Sequence, residues 1–146
     1  MLKSILTSLA LLFPISLAAQ DMFAITVDEA YDDMTFAIES GILDRGLNID
    51  TISHVGDMLN RTAADVGADG MIFLHASVFN FCSATLSRDA MAINPANIRY
   101  CPYGIFVYTT ADNPDQTVIG HQIYGDPALA AVNALLSDIV SEAAEY

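Results

Sequence analysis

Residues 105–124 set the strongest limit on what this chain can fold into. Ile105 to Thr110 and Thr117 to Tyr124 are two apolar runs of β character, and Asp112, Asn113, Pro114 and Asp115 between them favour a turn. The pair predicts a hairpin. Directly after it, Asp126 is placed to cap a helix and Pro127 suits its first position. Leu129, Val132, Leu136, Ile139, Val140 and Ala143 then recur at helical spacing. Strands that pair locally and a helix with one apolar stripe are satisfied together when the helix lies on the sheet.

The preceding residues extend the same pattern. Met22 to Thr26 reads as a short strand, and Thr26 with Glu29 has the form of a capping box opening a helix over Asp28 to Arg45, ended by Gly46. Leu47, Ile49, Thr51, Ser53 and Val55 alternate with Asn48, Asp50, Ile52 and His54, which predicts a second strand with one face buried. A short helix capped by Asp57 follows, carrying Met58, Leu59 and Ala63. Met71 to Phe81 reads as a third strand, and a helix from Ser83 carries Leu86, Ala90, Met91 and Ile93 until Pro95 stops it. The expected fold is α+β, a two-layer α/β sandwich with a mixed sheet of about five strands and helices packed on one face.

Residues 1–20 have the pattern of a signal peptide: Lys3, an apolar run from Ile5 to Leu17, then Ser16, Ala18 and Ala19. Pro14 and the shortness of the run argue against a spanning helix. Export to the periplasm or outside the cell is the expectation, leaving residues 21–146 as a single domain able to build its own core. That domain has four basic residues, Arg45, Arg61, Arg88 and Arg99, against all 18 acidic ones. So sparse a positive field makes nucleic acid and anionic membranes poor partners.

In an oxidising compartment the two cysteines, Cys82 and Cys101, are paired, buried as separate thiols, reactive, or metal-ligating. A bridge would close about 20 residues and stabilise by about 3 kcal/mol. A reactive Cys82 would draw on its place before a helix, with Arg88 adding positive charge. The 19-residue spacing is unlike the Cys-x-x-Cys of thiol oxidoreductases. A metal reading would combine the cysteines with His54, His75, His121, Met58 or Met91, but no ligand spacing supports it, and no cofactor is expected. The stretch from His54 to Arg61 also offers Asp57 and Asn60; Asp57 and Arg61 can simply pair along a helix, or Arg61 and His54 can form a polar rim for a small ligand.

Phe81 to Tyr108 resembles the core segment of the domain of unknown function 302 family (DUF302). Cys82 matches its cysteine at a strand-to-helix junction, Pro95 its middle proline, Pro102 its later proline and Val107-Tyr108 its strand end. Thr26 to Gly46 resembles the family's opening helix, and His54 to Gly67 looks like a feature of an exported subgroup. Where many relatives have cysteine after the later proline, this chain has Tyr103, with Cys101 before Pro102. A two-residue shift keeps the same strand face. The resemblance implies a small α/β domain that forms homodimers and no settled activity. Together these readings point to a binding or accessory protein more than an enzyme, with Cys82, Arg88, His54, Asp57, Arg61 and Tyr103 as candidate ligand-binding residues. The competing reading is a redox-active or copper- or haem-binding protein built on Cys82 with Cys101 or a histidine.

Overall fold

The computed structural model describes residues 21–146. The signal peptide reading of residues 1–20 lies outside the described residues. Along the chain, strand β1 (Met22–Val27) leads to helix α1 (Tyr31–Leu43), strand β2 (Ile49–Ser53) and helix α2 (Val55–Thr62). Strand β3 (Phe73–Phe81), helix α3 (Ala84–Ile93), strands β4 (Tyr103–Thr110) and β5 (Thr117–Gln122) and helix α4 (Ala130–Ala143) complete it.

The five strands form one sheet in the order β1-β5-β4-β3-β2. The sheet was expected to be mixed, but every neighbouring pair is antiparallel. The reason lies in the β1-α1-β2 crossover. It returns the chain in the same direction as β1, yet it lands β2 on the opposite edge, so the two never pair. The predicted β4-β5 hairpin forms.

Alternation along the strands divides the sheet cleanly. Phe79 and Phe81 of β3, Ile105 and Val107 of β4 and Ile119 of β5 are buried against α1 and α4. Met34, Ile38 and Ile42 from α1 and Val132, Leu136, Ile139 and Val140 from α4 complete that core, each side chain contributing about 1.5–3 kcal/mol by burial. On the other face, Val78, Phe106, Gly120 and Ala24 form one row, and Ala76, Tyr108, Val118 and Thr26 the next. Among the described residues no helix packs across these rows. Helix α2 instead runs beside the edge of β3, where Asn60 Nδ2 donates to the Phe73 carbonyl at 3.2 Å.

Three local expectations are corrected. Helix α1 starts at Tyr31, after Ala30, and the Thr26-Glu29 capping box does not form, because Thr26 is held in the β1 ladder opposite Val118. In β2 the register shifts between Ile49 and Thr51, so Ile49 and Ile52 are half-buried while Thr51 and Ser53 are exposed. Asp50 is the extra residue, and a bulge of this kind reverses the face of everything after it. Helix α2 begins at Val55 instead of Asp57, which makes His54 its flanking residue.

Candidate functional site

Inward positions of β3 should all be apolar, yet two are polar: Ser77, 3% exposed, and His75. Both meet the first residue of α1. The Tyr31 hydroxyl donates to Ser77 Oγ at 2.8 Å, and the Tyr31 ring stacks on His75 with centroids 4.9 Å apart. His54 Nδ1 lies 3.2 Å from the same Ser77 oxygen. Ser77 Oγ thus stands between the two, accepting from Tyr31 and within hydrogen-bond distance of the His54 ring nitrogen. The result is a relay of hydrogen-bonding side chains, Tyr31, Ser77 and His54, ending at an exposed imidazole.

Beside the relay is a cleft of about 230 Å³ lined by Ala30, Tyr31, Asp32, Leu74, His75, Thr109 and Pro114. Burial raises the Tyr31 pKa above its ordinary value, Asp32 and Asp57 push the same way, and the Ser77 hydrogen bond opposes them. The charges that act on this phenol are therefore carboxylates.

A second constellation lies at the other end of β3. Cys82 and Cys101 form a disulfide with Cα atoms 6.1 Å apart, inside the usual range of about 4.4–6.8 Å. Of the readings open from sequence, the structure has the bridge, and neither sulfur is free. It closes the base of the excursion through α3, between strands already paired at Phe81 and Tyr103. Ser87 of α3 reaches both Tyr103 Oη, at 2.7 Å, and Cys101 Sγ, at 3.8 Å. Cys101 and Tyr103 therefore do point to one side, and Tyr103 is 1% exposed.

The six candidate residues do not converge. Ser77, which marks the position of His54, and Phe81, next to Cys82, are four strand steps apart, about 13 Å. Cys82 and exposed Arg88 belong to the start of α3; His54, Asp57 and Arg61 belong to α2. Tyr103 is core and lines no surface groove. Asp57 and Arg61 form no ion pair, whereas Arg45 pairs with Glu142 and Arg99 with Asp126. Only His54 joins the relay. Tyr31 and Ser77 were missed, although a serine and a histidine on the inward parity of an apolar strand were the available signal. Among the described residues no three His, Cys, Asp or Glu side chains cluster to hold a metal ion.

On the outward sheet face, a hollow of about 320 Å³ lies at Gly104, walled by Met22, Val78, Pro102, Phe106, Gln122 and Tyr124, with Asp21 at its rim. Glycine makes the space: a Cβ there would stand 3.1 Å from Val78 Cγ1.

The whole arrangement has a counterpart among solved structures. The crystal structure of an uncharacterized conserved DUF302 protein from Bacillus stearothermophilus superposes with a TM-score of 0.61 over 87% of this chain and 95% of that one. The chain has the DUF302 fold. Sequence identity to that protein is 16%, so the likeness is one of architecture. No protein-family model and no curated protein matches the sequence. The DUF302 fold is thus common to the sequence resemblance around Cys82 and Pro102 and to the structure itself.

Proposed function

We propose that this is an exported binding or accessory protein, periplasmic or secreted, that holds a small ligand in the Tyr31-His75 cleft. The observation that carries the reading is the relay: three polar side chains from α1, β3 and the start of α2 converge beside a cleft of ligand size. Binding is favoured over catalysis because Ser77, the one hydroxyl that His54 could activate, is 3% exposed and out of a substrate's reach. Asp32 and Asp57 favour a neutral or cationic ligand over an anion.

Nuclear magnetic resonance with small neutral phenols and primary amines tests this directly, since the histidines of the chain give three separable imidazole signals. Fragments that bind in the cleft shift the His54 and His75 signals and leave buried His121 unmoved. Shifts confined to Met22 and Phe106 would place binding at the Gly104 hollow and sink the reading.

A redox role for the bridge is the second reading. It is favoured by the partial exposure of both Cys82 and Cys101, since exchange with an attacking thiol depends on access to the bridge. Equilibration in glutathione buffers decides it. A bridge that resists reduction down to about −300 mV is structural.

A further inference from the structure

The two edges of the sheet are unlike. At one, β2 has only five residues, carries Asp50 in a bulge, and gives way to α2, which runs along the rest of β3. Charge, bulge and cover are the devices that keep a strand edge from pairing further. At the other edge β1 has none of them. Its residues, Met22, Phe23, Ala24, Ile25, Thr26 and Val27, include no charge and no proline, and its register on β5 is unbroken.

One hydrogen bond fixes which groups β1 leaves open. The Ile123 amide donates to the Asp21 carbonyl at 2.9 Å, and bonded pairs alternate along an antiparallel ladder. Phe23, Ile25 and Val27 therefore turn their N–H and C=O groups to β5, while those of Met22, Ala24 and Thr26 point away from the sheet. All three of these residues are exposed, and among the described residues no strand lies beyond them. Such a row of donors and acceptors is a template for an added strand.

The ends of that template are acidic. Asp21 precedes β1 and Asp28 and Glu29 follow it, all exposed. Asp28 accepts a hydrogen bond from neutral Gln116, and the ion pairs among the described residues involve none of the three. A second copy is thereby a poor occupant. Two β1 strands paired about a two-fold axis run antiparallel and bring Asp28 and Glu29 of one copy alongside Asp21 of the other, and like charges across strands oppose pairing. A segment with basic ends meets the opposite sign at both. Its middle is specified as well. On the outward face the partly exposed Phe106 ring lies over Gly120, where a Cβ would stand 2.6 Å from its Cζ, and Ala24 beyond it has only a methyl. A bulky apolar side chain opposite Ala24 crosses that methyl and packs on Phe106.

We propose that β1 is a docking strand for an extended segment of another protein, paired antiparallel like every other strand of the sheet. The segment has basic residues at its ends and a bulky apolar residue opposite Ala24. Backbone hydrogen bonds to Met22, Ala24 and Thr26 supply affinity, and the acidic ends and Phe106 supply choice. The Tyr31-His75 cleft has no part in it.

Amide hydrogen exchange followed by nuclear magnetic resonance tests this, with the peptide Arg-Thr-Val-Thr-Phe-Thr-Val-Arg as the probe. In the free protein the amides of Met22, Ala24 and Thr26 should exchange fast and those of Phe23 and Ile25 slowly. The peptide should slow the first set by about tenfold or more and leave the His54 and His75 signals unmoved. Glutamate in place of both peptide arginines should abolish the protection, and added salt should weaken it. Ala24→Pro removes one outward donor where an edge strand accepts proline, and it should weaken binding about tenfold with an unchanged far-ultraviolet spectrum. Asp21→Asn combined with Asp28→Asn leaves the backbone intact and should erase the preference for arginine ends. A peptide that fails to protect Met22, Ala24 and Thr26, equal binding of its glutamate-ended form, or equal binding to Ala24→Pro would each overturn the proposal. So would protection of these amides in the free protein that grows with its concentration, which would put a second copy on the edge instead.

Discussion

Ser87 Oγ lies 2.7 Å from the Tyr103 hydroxyl, a hydrogen bond between two buried side chains that fastens α3 to the first residue of β4. Tyr103 also packs edge-on against Phe81 and near Tyr124, so its ring is core while its oxygen is a tether. Tyr103→Phe should then cost about 1–2 kcal/mol, because the Ser87 hydroxyl keeps its burial and loses its good partner. Tyr103→Ala should cost about 3–5 kcal/mol through the added cavity. Urea unfolding of the two variants gives both values, and equal losses would mean the hydroxyl contributes nothing.

The bridge should behave as a staple on the unfolded chain. Its native site is already closed by the Phe81-Tyr103 strand pair, so reduction has little to release in the folded state. In the unfolded state it restricts about 20 residues, worth about 3 kcal/mol in the chain-entropy model. The double variant Cys82→Ser, Cys101→Ser is therefore expected to keep its far-ultraviolet spectrum and lose about that much stability. A lost spectrum would show that the bridge holds α3 in place instead.

Much of the fold was legible because the signals were local. Asp126 accepts from the Ala128 backbone and Ser83 from that of Leu86, both as caps do, and every inward residue named for α4 is buried. Gly46 has φ +69°, the left-handed stop its position implied. The errors came where one local preference met a longer-range one. Thr26 lost its capping role to the β1 ladder, and the Asp50 bulge inverted the end of β2. The site was less legible still. The Tyr31-Ser77 bond joins residues 46 apart, and no spacing rule reaches across a crossover from one sheet edge to the other.

His121 should give the protein an acid-sensitive stability. It is fully buried on β5, with Nδ1 2.8 Å from the Gln122 carbonyl and Nε2 2.9 Å from Ser137 Oγ. A carbonyl only accepts, so Nδ1 carries the proton and Nε2 accepts from Ser137, which is the neutral ring. Burial lowers its pKa below 6.5, with the Gln122 hydrogen bond opposing. Above 6.5 the native and unfolded rings are both neutral and the full contribution is present. As pH falls through 6.5 the unfolded chain takes up a proton that the native chain refuses, so stability drops, by at most about 1.36 kcal/mol per pH unit, until the folded pKa is passed. Denaturant titrations across this range should show the slope in the wild type and its loss in His121→Gln.

Gly120 and Gly104 both face outward on neighbouring strands, yet alanine should be tolerated at only one of them. At Gly120 a Cβ would stand 2.6 Å from Phe106 Cζ and 2.9 Å from Ala24 Cα, and it would also strike the Phe23 carbonyl. The Phe106 ring can turn away; the β1 backbone cannot, because Phe23 and Ala24 are held in register opposite His121 and Gly120. Gly120→Ala should therefore part β1 from β5 or be accommodated at a cost of about 1–3 kcal/mol. At Gly104 the one close neighbour is the Val78 side chain at 3.1 Å, which a small rotation relieves. The gain in strand preference over glycine, up to about 1 kcal/mol, offsets that adjustment. Chemical denaturation should place Gly104→Ala near the wild type and Gly120→Ala well below it, and the reverse order would show that β1 yields more readily than the Val78 side chain.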